Sequence, residues 1–553
     1  MATFTFDGTA SQSVAFDPAA DLLVLGLNAA DVANVVQNPT SISFISVTGA
    51  VLTLEGVQFA DLTTANIVSS LGSDIEFAAG TPGGTITGNV LAGLDGDNVL
   101  INSGENGLLL GNLGNDTLNS TNFDNVRMYG GQNADVINFF SSATADDASL
   151  LVGGLGSDTI NVGYDAVEGG GFEPATAYAG NITVYGGNEA NDPLDDSDTI
   201  NVFLADQGTA TVYGNGGDDV ITVVGTGTAD IFGGQGNDTV VAELNGGSVV
   251  GGLGSDTITV ATVGEDASVT VVGGNGTNDP ADGADTITVN FGSAGDTATV
   301  YGNGGNDTIT FTGEVGVVQA FGGQGNDTIT GSIGDGSQVI GGLGTDTINV
   351  SVVGGGATPE VGASATIWGG NGTTDPADGA DIINVAIDAG NSAEIYGNGG
   401  NDVITVTGAG DADIFGGQGN DTINVSGSGQ YALTGGQGDD TFDFSGAATV
   451  SGDATALSSV TDFTFGDDTI IFNGTGDVGS VVEVVGGSAT TAAQIFALAN
   501  TGPDVVSLVT VGGDLAGTYA VFGEQAINVT GFTGAIDAGS FQLNTLPTAE
   551  AFA

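Results

Sequence analysis

The sequence has no cysteine and no histidine, and its 553 residues include a single basic side chain, Arg127. Each absence removes a class of function. Without His or Cys there is no zinc centre of the usual donor set. There is likewise no Ser-His-Asp or Cys-His nucleophile. Without Lys there is no Schiff base. One arginine cannot neutralise a run of phosphates, so nucleic-acid binding is excluded. A pair of carboxylates, as on a glycosidic bond, is the one catalytic device left. Aspartate is so repetitive here that no pair stands out, and the chain reads as a protein that is not an enzyme. No run of about 18 apolar residues is present, so no membrane insertion is expected. The N-terminal Met1-Ala-Thr-Phe-Thr-Phe-Asp lacks the basic and apolar regions of a cleaved signal peptide.

What is abundant is glycine, at 100 residues, and acid, at 67 Asp plus Glu, for a formal charge of −66. A disordered acidic tail would lack the Val, Ile and Phe that make this chain 40% hydrophobic. The chain therefore folds, and something other than Lys or Arg neutralises its carboxylates. A divalent cation is the expected partner.

One motif dominates, Gly-Gly-x-Gly-x-Asp-Thr-Ile, as at Gly153 to Asp158, Gly233 to Asp238, Gly322 to Asp327 and Gly416 to Asp421. Its sixth-position aspartate recurs at Asp97, Asp116, Asp135, Asp158, Asp198, Asp219, Asp238, Asp256, Asp285, Asp307, Asp327, Asp346, Asp381, Asp402, Asp421 and Asp440, with Asp97 the weakest match. Most intervals are about 19 residues; longer ones follow Asp158, Asp256 and Asp346, where inserted loops such as Asn278-Asp-Pro-Ala-Asp282 and Thr374-Asp-Pro-Ala-Asp378 fall. The coils thus group as four units of four. After each aspartate, Thr-Ile-Thr-Val alternates polar and apolar, and so does the stretch before the next Gly-Gly, as at Ala298-Thr-Val300. Each repeat then holds two short strands and two turns, one circuit of a parallel β-roll. The predicted fold is all-β, a β-solenoid of about 16 coils.

Stacking these circuits at about 4.8 Å puts the aspartates in a column. Bare carboxylates about 5 Å apart repel by roughly 1 kcal/mol in water and about 3 kcal/mol at an effective dielectric near 20. Calcium reverses that sign, because it takes six to eight oxygens in a tolerant geometry, whereas magnesium demands strict octahedral coordination. An isolated Asp-Gly pair would be only a turn; sixteen in register predict Ca²⁺ at these sixteen aspartates.

These residues resemble the repeats-in-toxin family of calcium-binding β-rolls, whose signature is Gly-Gly-x-Gly-x-Asp-x-U-x. The likeness spans residues 86–445. That family has nine-residue repeats with calcium on both edges; one motif per coil here implies calcium along one edge only. Val460-Thr-Asp462-Phe463 through Asp468-Thr-Ile470 is similar to the segment that closes the roll in family members. The resemblance also implies type I secretion to the cell surface or beyond, addressed from the C-terminus.

Residues 1–85 and 446–553 lack the repeat and read as small β-rich domains that cap the roll, join neighbouring molecules, or both. Ala29 to Val36 reads as a short helix, as does the stretch from Thr491; Thr518-Tyr-Ala-Val-Phe reads as a strand. Aromatic residues precede the first motif glycine at Tyr213, Phe232, Tyr301, Phe321, Tyr396 and Phe415. Alternation puts them outside the core as a stacked ladder, or as a docking surface for a subunit or glycan. The expected function is a self-assembling extracellular structural protein, a surface layer or filament with a possible glycan anchor. The alternative is an adhesin or ice-binding module; one-edged rolls of this period are similar to an ice-binding adhesin domain, but the third motif position here is Gln235, Leu253, Gln324, Leu343 and Gln418 rather than threonine.

Overall fold

A computed structural model describes residues 97–447, except 103–105, 122–123, 141–147, 168–170, 175–176, 189–194, 276–281, 355–361 and 372–377. Outside that span it describes strands and short segments between residues 3 and 93 and between 457 and 544. Contacts divide the chain into two units, 1–264 and 265–553. Each is built chiefly of parallel strands that turn through successive coils, as the repeat spacing predicts.

In the first unit, one sheet stacks strands such as Ala148–Leu155, Asn181–Tyr185, Thr209–Gly216, Thr228–Gln235 and Gly246–Leu253. The facing sheet stacks Thr159–Val162, Thr199–Leu204, Val220–Gly225, Thr239–Leu244 and Thr257–Thr262. Register joins like to like: Thr209 pairs with Thr228, Val212 with Ile231 and Tyr213 with Phe232. Alternate residues face inward. Val212, Ile231, Ile221 and Val240 are fully buried, while the intervening Thr and Val are half-buried or exposed. The longer interval after Asp158 holds an antiparallel hairpin, Tyr164–Val167 with Gly171–Pro174. Before the roll, the strand Val32–Asn38 pairs antiparallel with Ser41–Ser46. This corrects the helix expected over Ala29–Val36 in its described part, Val32–Val36, where three β-branched valines favour a strand; Ala29–Asp31 lie outside the described residues.

The second unit repeats the plan from Ser268–Val272 and Thr286–Phe291 onward. Its roll continues past residue 445. Thr441–Ala447 pairs in parallel with Thr469–Asn473, which in turn pairs with Phe541–Asn544. Buried Phe463 packs on Phe442, Phe465 and Phe541 over the last coils. A second core, Ile495, Val509, Val511, Tyr519 and Val521, lies beside it. It holds the expected helix Ala492–Phe496 and the strand Gly517–Phe522.

The aromatic side chains stand outside the core and stack. Tyr185, Tyr213 and Phe232 have centroids 4.9 Å apart at 12° and 9°. Trp368, Tyr396 and Phe415 follow the same plan at 5.9 and 4.8 Å. In such a stack each ring face is covered by the next ring, so the ladder stiffens the sheet and offers ring edges to a visitor.

Glycine is required where coils approach. A Cβ on Gly322 would collide with the Gly341 carbonyl and the Asp327 carboxylate, and would lie 2.9 Å from the Asp327 Cβ. Gly336, at φ +77°, has open space around its Cβ position. Gly322→Ala is therefore expected to cost about 3 kcal/mol by overpacking. Gly336→Ala should cost about 1 kcal/mol, from backbone conformation alone. Thermal unfolding in calcium checks the ranking.

Candidate metal centre

The repeat aspartates do form a column, but inside the turn rather than on its rim. Asp116, Asp135, Asp158, Asp198, Asp219, Asp238 and Asp256 in the first unit are at most 2% exposed. So are Asp285, Asp307, Asp327, Asp346, Asp381, Asp402, Asp421 and Asp440 in the second. What turns them inward is a hydrogen bond between coils. Within each unit the backbone N–H of one column residue donates to Oδ1 of the next, as in Asp116 to Asp135, Asp135 to Asp158 and Asp158 to Asp198, all at 2.7 Å. In the second unit Asp307 donates to Asp327 at 2.8 Å and Asp327 to Asp346 at 2.7 Å.

Two assignments change. Asp97 is not in the column. Asn98 occupies its place, buried, with its N–H donating to Asp116 Oδ1 at 2.7 Å. In Gly93-Leu-Asp-Gly-Asp-Asn98 the sixth position is Asn98, and Asp97 fills the fifth, where its exposed carboxylate accepts the Asn115 N–H. The column also gains a rung: the Asp440 N–H donates to Asp468 Oδ1 at 3.0 Å. Asp462 closes the turn edge by accepting N–H groups of Gly435 and Gly436.

A second ladder runs beside the first and was not foreseen. Side-chain oxygens at the fifth motif position accept the N–H of the same position one coil on, as in Asn237 to Asp218, Ser255 to Asn237 and Asn420 to Asn401. The signal was present in the sequence as a preference for Asn, Asp and Ser before the motif aspartate.

At twelve of the column aspartates only one carboxylate oxygen is hydrogen-bonded. Oδ2 of Asp116, Asp135, Asp158, Asp198, Asp219 and Asp238 is buried with no hydrogen-bond partner, as is Oδ2 of Asp307, Asp327, Asp346, Asp381, Asp402 and Asp421. Each such oxygen faces the first glycine of its own turn. The Cβ position of Gly111 lies 2.6 Å from Asp116 Oδ2 and against the Gly130 carbonyl of the next coil. Other carbonyls line the edge: Cβ atoms on Gly252 and Gly254 would meet the carbonyls of Gly234 and Gly236.

Burial dominates the electrostatics. Desolvation pushes Asp327 and Asp421 up to about 6, Asp158, Asp238, Asp307, Asp346 and Asp440 to about 7, and Asp135, Asp219 and Asp402 to about 8, from an ordinary 3.8. The inter-coil N–H bond opposes this, and neighbouring carboxylates add to it in most members. Asp198 and Asp381 are raised further still, by desolvation first and then by Asp195 and Asp378 respectively.

This donor set fits a hard cation. Carboxylate and carbonyl oxygens are the ligands calcium takes. Among the described residues no three acidic side chains converge on one point, so an ion here would draw on the stacked backbone carbonyls as well as on Oδ2. Asp327 tests the two roles of the carboxylate. Asp327→Asn keeps the acceptor for the Asp307 N–H; it should bind less calcium yet be more stable than the parent in chelator at neutral pH. Asp327→Ala strands that buried N–H and should lose about 1–3 kcal/mol with or without metal. Calcium titration and denaturant melts separate the two.

No family model, curated protein or solved structure matches this chain. Among the described residues, no helix is long and apolar enough to cross a membrane.

Proposed function

We propose that this is an exported structural protein whose roll is held upright by calcium and whose copies assemble into a surface layer or filament. The calcium reading is carried by the buried, half-satisfied carboxylate column. Its resemblance to the repeats-in-toxin rolls supports export by type I secretion.

Assembly is supported by where the charge is not. In the second unit, strands from Thr286–Phe291 to Thr422–Gly427 turn seven rows outward. Thr286, Thr288, Asn290, Thr308, Thr310 and Thr312 begin a face that carries no charged side chain until Asp443. In a chain of charge −66, a second copy can meet that face without opposing carboxylates, so repulsion there is screened most easily. Electron microscopy of the purified protein tests this. Ordered sheets or fibres are expected in millimolar calcium; strictly single particles there would overturn the reading. The same Thr-x-Thr ranks favour a second reading, attachment to ice or to a crystalline polysaccharide. Thermal hysteresis or pull-down on the solid, from a protein that stays monomeric, would favour it.

A further inference from the structure

Three coils differ from the rest in the same way. The coil that opens each later group carries an extra aspartate three residues before its column member: Asp195 before Asp198, Asp282 before Asp285, Asp378 before Asp381. The coil after it carries an asparagine four residues before its own column member: Asn215, Asn303 and Asn398. Ordinary coils have glycine at that place, with φ of +124° at Gly234 and +118° at Gly323 and Gly417; the Asp116 coil has Asn112, at φ +80°, but its Nδ2 donates to the Gly93 carbonyl at 2.9 Å. The asparagines hold the same left-handed backbone, at +86°, +84° and +81°. Glycine would adopt it more freely. The amide is therefore retained against local preference.

Each amide is also idle within the chain. Asn215, Asn303 and Asn398 are 6% exposed, and neither Oδ1 nor Nδ2 of any of them has a hydrogen-bond partner. Polar groups so buried are nearly always bonded. In the second unit the amide and the extra carboxylate flank one glycine. The Cβ position of Gly274 touches Asp282 Oδ2 and lies 3.2 Å from the Asn303 amide; that of Gly370 touches Asp378 Oδ2 and lies 3.3 Å from the Asn398 amide. The other carboxylate oxygen is spoken for: Asp378 Oδ1 accepts the Gly379 N–H at 2.9 Å and the Gly344 N–H at 3.3 Å, and Asp195 Oδ1 accepts the Gly156 N–H at 3.3 Å.

We infer that Asp195 with Asn215, Asp282 with Asn303, and Asp378 with Asn398 form three further divalent-cation sites, one for each inserted loop, beside the aspartate column. The amide atom nearer that glycine in the second unit is Nδ2; turning the amide end for end brings Oδ1 there, and with the carboxylate it supplies hard donors suited to calcium. The proposal shares with the column only the identity of the ion. Asp279 and Asp375 lie outside the described residues.

The test is a count. Asn215→Gly, Asn303→Gly and Asn398→Gly together restore the residue that ordinary coils carry, so folding is preserved. Calcium bound per chain, by equilibrium dialysis and atomic emission, should fall by three, with the far-ultraviolet spectrum unchanged. Asp378→Asn alone should remove one ion. Trp368, the only tryptophan in the chain, directly precedes Gly369 and Gly370. Tryptophan-excited terbium emission should therefore drop several-fold in Asn398→Gly and hold in Asn215→Gly. An unchanged count in both the triple variant and Asp378→Asn would overturn the proposal and leave water as the occupant. A parent protein that binds no calcium at all would overturn the column reading as well.

Discussion

Chelating calcium at pH 7.5 is expected to abolish most of the far-ultraviolet β signal, and re-adding it to restore that signal. The size of the effect follows from the column. A carboxylate moved from 3.8 to about 6, as at Asp327, weakens the ionised fold by about 3 kcal/mol, at about 1.4 kcal/mol for each tenfold change in the proton equilibrium. Five such groups reach the upper end of the 5–15 kcal/mol typical of a folded domain, and each unit holds more than five. Magnesium, which keeps its waters and its octahedral geometry, is expected to restore much less of the signal at equal concentration.

Acidification should rescue the metal-free chain, opposite to the usual acid denaturation. The column carboxylates have folded pKa values above their unfolded 3.8. The folded state therefore binds more protons than the unfolded state between those values. Stability gained from protonation is fully present below pH 3.8, and is lost as pH rises through about 6 to 8, where Asp327, Asp346 and Asp402 titrate in the fold. Without metal, the β signal should be strong near pH 4.5 and weak near pH 8; with saturating calcium, the curve should be flat across the same range. Monotonic loss of structure on acidification in chelator would contradict the burial of these groups.

Much of this was legible in the residues. The 18–20-residue spacing, the alternation after each aspartate and the aromatic residue before the first motif glycine correctly predicted parallel coils, an Ile and Val core and stacked rings. The orientation of the carboxylates was not legible, because it depends on the N–H of Asp116 finding Asp135 one coil away, a contact that spacing alone cannot display. Asp97 was misplaced because adjacent Asp and Asn both suit a turn, and only inter-coil register shows that Asn98 is the one buried. Asp468 stands in the segment similar to one that closes a roll, yet it acts as a further rung since Thr469–Asn473 continues the sheet. Asn215, Asn303 and Asn398 stood in plain view in three Tyr-Gly-Asn-Gly runs; what the sequence did not show was that their amides are buried and unbonded.

Cations are expected to sit against the buried Oδ2 atoms of the aspartate column. A crystal structure of the calcium-loaded protein, with data collected at long wavelength for calcium's anomalous signal, tests it directly. An anomalous peak is expected within coordination distance of Oδ2 on Asp135, Asp219, Asp327 and Asp402 alike. Well-ordered aspartates at those positions with no peak beside them, in crystals grown at neutral pH, would contradict it.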